Sequence, residues 1–264
     1  MKLIAALLLF MPLCLSAQIF RLAPPQTGIG QLKSPFFTDS IGMVLRFDLQ
    51  GAVIRYTLDG TLPHSKSPVF SDRLVVRNSC VLTAISTHPD FLDSEPARVQ
   101  LVRMNPAFIP QEATLAVAPS PKYRARGTST LHDYAKGHEQ LDSGRWLGFE
   151  GADMDYTMTF ANKIKSGSLL VSVLSAPGSW VMPPRSIELW ASSKKKGGFK
   201  KVATLDIPPV QPGEKGIEEI IYFLNFAPVN ARRWRVVATH DTLPEWHPGK
   251  GKPTWLFVDE VGLQ

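Results

Sequence analysis

The stretch "GAVIRYTLDGTLPHSKSPVFSDRLVVRNSCVLTAIS", residues 51–86, decides the fold of the first half of the chain. Apolar and polar side chains alternate in its "VIRYTLDG" segment, which ends in an Asp-Gly turn. A period of two is typical of a half-buried β-strand, so Ile54, Tyr56 and Leu58 are predicted to face inward. Two more β-rich runs, "RLVVR" and "CVLTAIS", follow within the stretch. The pattern predicts a small antiparallel β-sandwich.

Strand patterns continue on both sides of this stretch, and no segment carries a sustained helical period with capping residues. "MVLRFDL" (43–49) precedes it and "ARVQLVR" (97–103) follows it. The second half of the chain adds strand-like runs at residues 155–161, 168–176, 185–192, 219–226, 232–240 and 254–263. Their long, Pro- and Gly-rich connections predict a jelly roll, with Ile187, Leu189 and Trp234 inside. The predicted fold class is all-β, an immunoglobulin-like sandwich followed by a jelly roll.

The character of the chain changes between residues 104 and 126, where prolines interrupt the strand patterns. Because proline removes a backbone donor and is disfavoured inside sheets, we place a domain boundary near 104–111. The predicted parts are a signal peptide (1–17), an N-terminal extension (18–34), a first β domain (35–104), a linker (105–111) and a second β domain (112–264).

The first 17 residues have the three parts of a secretory signal peptide. Lys2 supplies a positive charge, residues 3–15 form an apolar core, and Ser16-Ala17 offer small residues for cleavage. The core is shorter than the ~20 residues that a membrane-spanning helix needs. We expect cleavage after Ala17, no membrane span, and export to the periplasm, the cell surface or the medium. Lipidation of Cys14 is the weaker alternative, because Leu13 is larger than such processing favours.

The charge balance is mildly basic, with a formal net charge of +6 at pH 7. Several of the lysines lie in "KKKGGFKK", residues 194–201, around a Gly-Gly pair. Such a turn between strands favours a solvated hairpin tip. Neither a periodic basic stripe nor a nucleic-acid-binding motif accompanies it, so we expect no nucleic-acid partner.

Residues 51–86 resemble the small all-β module found near the C-terminus of chitobiases and β-N-acetylhexosaminidases. "YTLDGTLP" (56–63) is the distinctive part of the match. The departures are small: Phe70 stands where tyrosine is common, and the later strand lacks the usual lysine before Ala84. The resemblance implies a module that accompanies a glycosidase.

The second half, about 112–264, resembles the discoidin-like domains, which are galactose-binding-like jelly rolls of the coagulation-factor type C. The similarity rests on "PSPKYRARGTSTLHD", "SGRWLGFEGADMDYTMTF", "GSWVMPPRSIELWASS" and "LPEWHPGKGKPTWLFVDEVGL". Such domains follow the chitobiase-type module in secreted bacterial hexosaminidases. The catalytic barrel of that family needs ~250 residues, and neither it nor an "HxGGDE"-like segment is found in this sequence. The resemblance implies the accessory half of a glycosidase.

Two adjacent carboxylates, Asp259 and Glu260, lie in the apolar closing segment "PTWLFVDEVGLQ" (253–264). Glycosidases use two carboxyl groups ~5 to 9.5 Å apart that face one substrate pocket. Successive side chains of a strand point to opposite faces, so this pair is predicted not to form a catalytic dyad. We therefore expect no catalytic residues and no enzymatic activity, and any associated activity would be that of a glycoside hydrolase.

The discoidin resemblance implies a second role for Glu260. In sugar-binding domains of this type, a glutamate on the last strand and an early-loop aspartate help to hold a structural Ca²⁺, and these positions match Glu260 and Asp133. Mixed oxygen shells are what Ca²⁺ prefers. Tyr134 stands where the family has glycine, which is a departure in the loop itself. The alternative is that the carboxylates accept hydrogen bonds from loop amides or from an arginine such as Arg145.

Aromatic residues in loops are the candidate carbohydrate contacts, because an aromatic ring packs against the apolar face of a pyranose while polar groups fix its hydroxyls. Trp180 in "APGSWVMPP" and Trp246-His247 in "LPEWHPGKG" lie between predicted strands, where binding residues gather. Trp146 in "GRWLGF" also lies near a loop. The alternative is that these tryptophans close the ends of the jelly roll.

These features favour a secreted, non-catalytic, carbohydrate-binding accessory protein, whose partner is a glycan on cell-wall material or a host polysaccharide. Two alternatives stay open. The sandwiches could be structural or protein-contact spacers, or the chain could be the accessory part of a β-N-acetylhexosaminidase that acts with a separate catalytic chain. Tryptophan-rich loops with nearby polar groups would favour glycan binding, and loops without a concave polar pocket would favour a spacer.

Overall fold

The structure, a computed structural model, describes residues 21–29, 34–213 and 216–264. The predicted signal peptide (1–17) lies outside these residues, as does part of the predicted extension. Within the described ranges the regular structure is strand, apart from 3₁₀ segments at Pro106–Phe108, Pro121–Tyr123, Gly127–His132 and Pro177–Ser179. The all-β prediction is confirmed. None of the described residues belongs to a helix with the length and apolar character that a membrane crossing requires.

The first β-sandwich is built from two sheets. Its strands are β1 (Gln26–Ile29), β2 (Phe36–Phe37), β3 (Ile41–Arg46), β4 (Val53–Thr57), β5 (Leu74–Val76), β6 (Cys80–Thr87) and β7 (Ala97–Arg103). One sheet has the order β1-β3-β5 and the other β2-β7-β6-β4, and only β2 and β7 pair in parallel among these neighbours of the described chain. Both sheets contribute to one core, Met43 and Val76 from the first and Leu82 and Leu101 from the second.

The alternation predicted for β4 holds only as far as the strand itself. Ile54 is buried, and Tyr56 packs half-buried against the same core. Leu58 is 38% exposed, so its predicted inward position is wrong. β4 ends at Thr57, and the chain then turns so that the Gly60 N–H donates to Val81 O at 3.0 Å. The turn begins one residue earlier than the alternation implied.

Seven further strands form the second β-sandwich. They are β8 (Glu112–Leu115), β9 (Leu147–Glu150), β10 (Met154–Ser175), β11 (Ser186–Ser192), β12 (Lys200–Asp206), β13 (Glu218–Thr239) and β14 (Trp255–Leu263). Their order is β12-β11-β13-β10-β14-β9, with β8 also paired to β10, and each pairing is antiparallel.

The two long strands, β10 and β13, explain how these seven strands form two layers. Each is 22 residues long, and they pair with one another along most of their length. The register slips between Thr159 and Ile164 and again between Ser166 and Ser168, and such irregularities bend strands. Before them β10 pairs with β8, and after them it pairs with β14. The halves of each long strand therefore belong to two layers around a shared core.

That core confirms the predicted inward positions of the second half. Ile187, Leu189 and Trp234 are each at most 1% exposed and pack in one cluster. β11 and β12 form an antiparallel pair. The segment 193–198 between them is exposed, as predicted for a solvated hairpin tip.

The two sandwiches meet at a junction of apolar side chains and hydrogen bonds. Its buried apolar members are Phe36, Val102 and Met104 from the first sandwich and Leu170 from the second. Ser34 Oγ donates to Tyr134 O at 2.8 Å and accepts the Lys136 N–H at 3.3 Å. The first sandwich therefore holds the loop that follows Asp133 in the second.

Candidate functional site

Two loops of the second sandwich bring Trp180, Trp246 and His247 together. Trp180 lies in the loop between β10 and β11, and the other two lie in the loop between β13 and β14. The His247 ring is 6.0 Å from the Trp180 ring, at 90°, and 5.7 Å from the Trp246 ring, at 62°. The imidazole thus separates the two indoles and contacts both edge-on. We call these three residues the aromatic cluster.

Backbone hydrogen bonds hold Trp180 in an uncommon conformation. The Pro177–Ser179 turn ends on Trp180, whose φ of 67° lies in the left-handed region that residues other than glycine rarely adopt. Its N–H donates to Pro177 O and its carbonyl accepts the Trp255 N–H, both at 2.9 Å. Such strain persists where the surroundings enforce it, and it concentrates at binding and active sites. The loop therefore fixes the backbone from which this indole projects.

His247 ties the two loops together. Its Nδ1 accepts the Gly249 N–H at 3.0 Å, so the proton lies on Nε2, which donates to Pro177 O at 3.0 Å. The side chain is buried. Both ring nitrogens are engaged by backbone, so His247 offers a ligand no free hydrogen-bonding atom, and its place in the cluster is to position the indoles.

Trp180 and Trp246 are both half-buried. Trp246 Nε1 donates to Val210 O at 3.2 Å, and the Lys252 ammonium lies 5.2 Å from the Trp180 ring centroid. A cavity of about 40 Å³ beside Val210 is far smaller than the ~300 to 1,000 Å³ of small-molecule pockets. This cavity is therefore too small to enclose a small-molecule ligand.

Trp146, the fourth predicted carbohydrate contact, is a core residue. It is 1% exposed, its Nε1 donates to His138 O at 2.8 Å, and its ring packs 6.4 Å from that of Phe257. A side chain enclosed in this way has no face open to a ligand. The prediction for Trp146 is corrected on this ground: it closes the sandwich, as the alternative for these tryptophans stated.

The closing strand β14 carries Asp259 and Glu260 on an irregularity that the sequence pattern did not indicate. Ser172 of β10 pairs with Glu260 and the next residue, Val173, pairs with Val258, so Asp259 is an extra residue, a β-bulge. Both carboxylates are fully buried. The prediction that they face opposite sides is wrong, because the bulge breaks the alternation and both contact the same loop.

That loop, residues 134–137, supplies the donors for both carboxylates. Asp259 Oδ2 lies 3.0 Å from Lys136 Nζ and accepts the Gly137 N–H at 2.5 Å. Glu260 Oε2 accepts the Tyr134 N–H at 2.9 Å. Burial raises the pKa of Asp259 and raises the pKa of Glu260 well above its usual range, where neighbouring Asp259 adds to the effect. Lys136 was not among the residues singled out from the sequence, where it is one loop lysine among many.

The residues present offer few free oxygens to the Ca²⁺ that the resemblance implies at Asp133 and Glu260, although Glu260 Oε1 is buried without a hydrogen-bond partner. Ca²⁺ takes about six to eight oxygen ligands. Asp133 instead accepts the Ala135 N–H at 2.8 Å and a guanidinium N–H from Arg126, which takes the place expected for Arg145. Within the described ranges, no group of three or more acidic, histidine or cysteine side chains is arranged to hold a metal ion.

None of three cavities in the described chain is lined by two carboxylates. Asp259 and Glu260 are sealed from solvent and cannot reach a substrate. Besides the small cavity, which Asp241 lines, there are cavities of about 530 Å³ beside the basic hairpin and about 400 Å³ beside Arg126. The cavity beside the basic hairpin has no carboxylate in its lining, and the cavity beside Arg126 has only that of Asp133. A glycosidase needs two that face one pocket.

Fold and site together define the class: an all-β protein of two sandwiches, the second of which presents a pair of half-open tryptophans on its loops. Residues 33–97 match the family model of the chitobiase/β-hexosaminidase C-terminal domain, in agreement with the resemblance found for the first sandwich. No curated protein matches the chain.

Solved structures with some similarity to the chain include a glycosidase and a carbohydrate-binding module. A Ruminococcus gnavus GH29 fucosidase in complex with fucose is 7% identical over 58% of this chain, with a TM-score of 0.38. The chain spans 24% of that fucosidase. Chitosan-binding module 1 from a Paenibacillus chitosanase/glucanase is 15% identical over 60% of this chain and 97% of its own, with a TM-score of 0.36. At these TM-scores the similarity identifies neither a ligand nor an activity.

Proposed function

We propose that the chain is an exported, non-catalytic, carbohydrate-binding accessory protein, and that Trp180 and Trp246 contact the glycan. The observation that carries this proposal is the aromatic cluster, in which His247 holds two half-open indoles 6.0 and 5.7 Å from its own ring. Rings fixed in this way can pack against the apolar faces of pyranoses at little further entropic cost. Export is proposed from the signal-peptide pattern of residues 1–17.

The rim of the aromatic cluster supports a polar, hydroxyl-rich ligand. Lys250 Nζ donates to Glu245 Oε2 at 3.1 Å on the exposed surface, and the Lys252 ammonium lies over the Trp180 ring. Ammonium groups donate hydrogen bonds and carboxylates accept them. A sugar hydroxyl can accept from the former and donate to the latter. An apolar ring bordered by both kinds of group is the combination that sugar recognition uses.

The chemical class of the ligand is proposed from the first sandwich. Its match to the chitobiase/β-hexosaminidase C-terminal domain over residues 33–97 supports an association with N-acetylated amino-sugar polymers. We therefore place chitooligosaccharides first among ligands to test, before galactosides and cell-wall polysaccharides.

A glycan array probed with the chain from residue 18 onward tests the proposal, followed by calorimetric titration of the best ligand. Trp246→Ala should weaken binding about tenfold, which corresponds to the loss of ~1.4 kcal/mol of ring contact. Trp190→Ala is the matched control, because Trp190 is also half-buried but lies within β11, bonded to Glu188. No binding to any glycan, or equal affinities for the two variants, would refute the proposal.

A spacer or protein-contact role is the second candidate, and the junction favours it. The apolar contacts of Met104 and Leu170 and the bonds of Ser34 to the 134–137 loop fix one sandwich against the other. A spacer needs such a fixed orientation, whereas a simple sugar-binding module does not. An empty glycan array together with a solution scattering profile that matches one rigid shape would support this role.

A further inference from the structure

The loop after Asp133 places a positive charge inside the protein. The Lys136 side chain is 4% exposed, and its ammonium lies 3.0 Å from Asp259 Oδ2 and 3.6 Å from Glu219 Oε2. The same ammonium lies 4.8 Å from the Trp146 ring centroid. Lysine is almost never buried unless it is paired. Each of these contacts favours a cation at this point.

The carboxylates around Lys136 need that charge. Asp259 and Glu260 are fully buried, and a buried carboxylate without compensation is very costly. Lys136 is the cation that contacts Asp259 among the described residues, and the Gly137 N–H adds a second donor to the same oxygen. Arg126 and the Ala135 N–H compensate Asp133 separately. The loop thus supplies an ammonium and N–H donors to the carboxylates that surround it.

The local sequence explains how the loop reaches β14. Tyr134 has a φ of 60°, which turns the chain so that its N–H meets Glu260. At Gly137 a Cβ would overlap the Trp146 ring, so only glycine lets this N–H approach Asp259 beneath the indole. The Trp146 ring in turn lies against the Lys136 ammonium. Lysine, glycine and tryptophan therefore act as one packed unit.

We propose that Lys136 supplies the positive charge that a divalent cation would otherwise bring to this site, so that the closing strand is fixed by a resident ammonium and the fold is independent of Ca²⁺. A divalent ion placed between these carboxylates would be repelled by the ammonium. Asp259 Oδ1 and Glu260 Oε1 are buried without a hydrogen-bond partner, but two such oxygens are far fewer than the about six to eight that Ca²⁺ takes. The raised pKa of Glu260 agrees with a cluster in which a single ammonium serves more than one carboxyl group.

Thermal melting of the chain with millimolar Ca²⁺ and with EDTA is the first test. The wild type should melt at the same temperature in both, within about 1 °C, and titration calorimetry with CaCl₂ alone should give no heat of binding. A melting temperature that rises with Ca²⁺ or falls with EDTA would overturn the proposal, as would a bound calcium ion.

A charge-removing series is the second test, and it does not depend on the metal. Lys136→Met keeps the length of the side chain and removes its charge, so it should lower the melting temperature by several degrees. Lys163→Met is the control, because Lys163 is exposed on β10 and should show no change. If Lys136→Met does not fold, Lys136→Met combined with Asp259→Asn should restore folding, since both charges are then absent. Equal melting temperatures for the Lys136 and Lys163 variants, or a double variant worse than either single one, would overturn the proposal.

Discussion

The aromatic cluster and the buried carboxylates of β14 lie in the same sandwich, but they differ in which side chains reach solvent. In the aromatic cluster, apolar rings reach solvent and the polar His247 is buried with both nitrogens engaged. At β14, Asp259 and Glu260 are sealed inside and receive their donors from one loop. The carboxylates are therefore out of reach of a ligand, whereas the two indoles are the more exposed groups.

This difference shows why residue type alone misleads about function. A carboxylate that is sealed inside the protein is out of reach of a substrate, even though Asp259 Oδ1 and Glu260 Oε1 have no hydrogen-bond partner. An indole that is half-packed and held by a fixed loop has a rigid apolar face ready for a ligand. The deciding property is which atoms remain free and accessible after folding, and this follows from local packing.

The largest effect is expected from Asp259→Ala, because it leaves the Lys136 ammonium buried without its closest carboxylate. Removing one partner of a buried pair costs about 3 to 5 kcal/mol. Chemical unfolding should show this loss, whereas Asp39→Ala on the exposed surface should stay within about 0.5 kcal/mol of wild type. If both variants lost a similar free energy of unfolding, burial of the Asp259 carboxylate would not be what makes it important for stability.

Glu260→Ala should cost less, about 1 to 3 kcal/mol, because it leaves the Tyr134 N–H without its acceptor but removes no partner of an ammonium contact. The same unfolding experiment measures both, and a Glu260 variant more damaging than the Asp259 variant would contradict the assigned roles.

The stability of the protein should depend on pH through the ionisation of Glu260. Burial and the nearby Asp259 and Asp133 raise its pKa in the folded state well above the ~4.3 of a free glutamate. A raised folded pKa gives stability that is fully present below the unfolded pKa and is lost as pH rises through the folded value. Glu260→Gln keeps a neutral side chain at every pH. The stability of this variant relative to wild type should therefore increase as pH rises above about 5.

Unfolding curves of wild type and Glu260→Gln between pH 5 and pH 8 check this expectation. Glu112→Gln is a suitable control, because Glu112 is exposed on β8. A constant difference between wild type and Glu260→Gln over the whole range would mean that Glu260 keeps its charge in the folded protein.

The smallest stability effect is expected at the junction. Ser34 Oγ donates to Tyr134 O and accepts the N–H groups of Phe36 and Lys136. Ser34→Ala should therefore cost about 1 kcal/mol, the usual net worth of such a bond. Differential scanning calorimetry measures it, and a variant indistinguishable from wild type would mean that the first sandwich does not help to hold the 134–137 loop.

The sequence predicted the parts of the molecule that depend on regular alternation. Ile187, Leu189 and Trp234 are buried as expected, because their strands keep a period of two. Alternation failed at Leu58 and at Asp259, where a turn and a bulge interrupt the strand. The Asp-Gly pair after Leu58 indicated the turn but not the residue at which the strand ends, and the bulge at Asp259 has no side-chain signature strong enough to be read in advance.

The candidate site was predictable in the same uneven way. The sequence placed Trp180, Trp246 and His247 in loops between strands, but it did not indicate that the two loops meet, as the ring contacts now show. The burial of Trp146 and the role of Lys136 depend on long-range packing between residues more than a hundred positions apart, such as Lys136 and Asp259. No local pattern encodes such a contact.

The division of roles between the aromatic cluster and the buried carboxylates is tested most directly by one calorimetric comparison. The best glycan from the array is titrated into wild type, Trp246→Ala and Glu260→Gln under identical conditions. We expect Trp246→Ala to lose about tenfold in affinity, or ~1.4 kcal/mol, and Glu260→Gln to bind like wild type. An unchanged Trp246→Ala beside a Glu260→Gln that no longer binds would contradict the account, because recognition would then depend on the carboxylates.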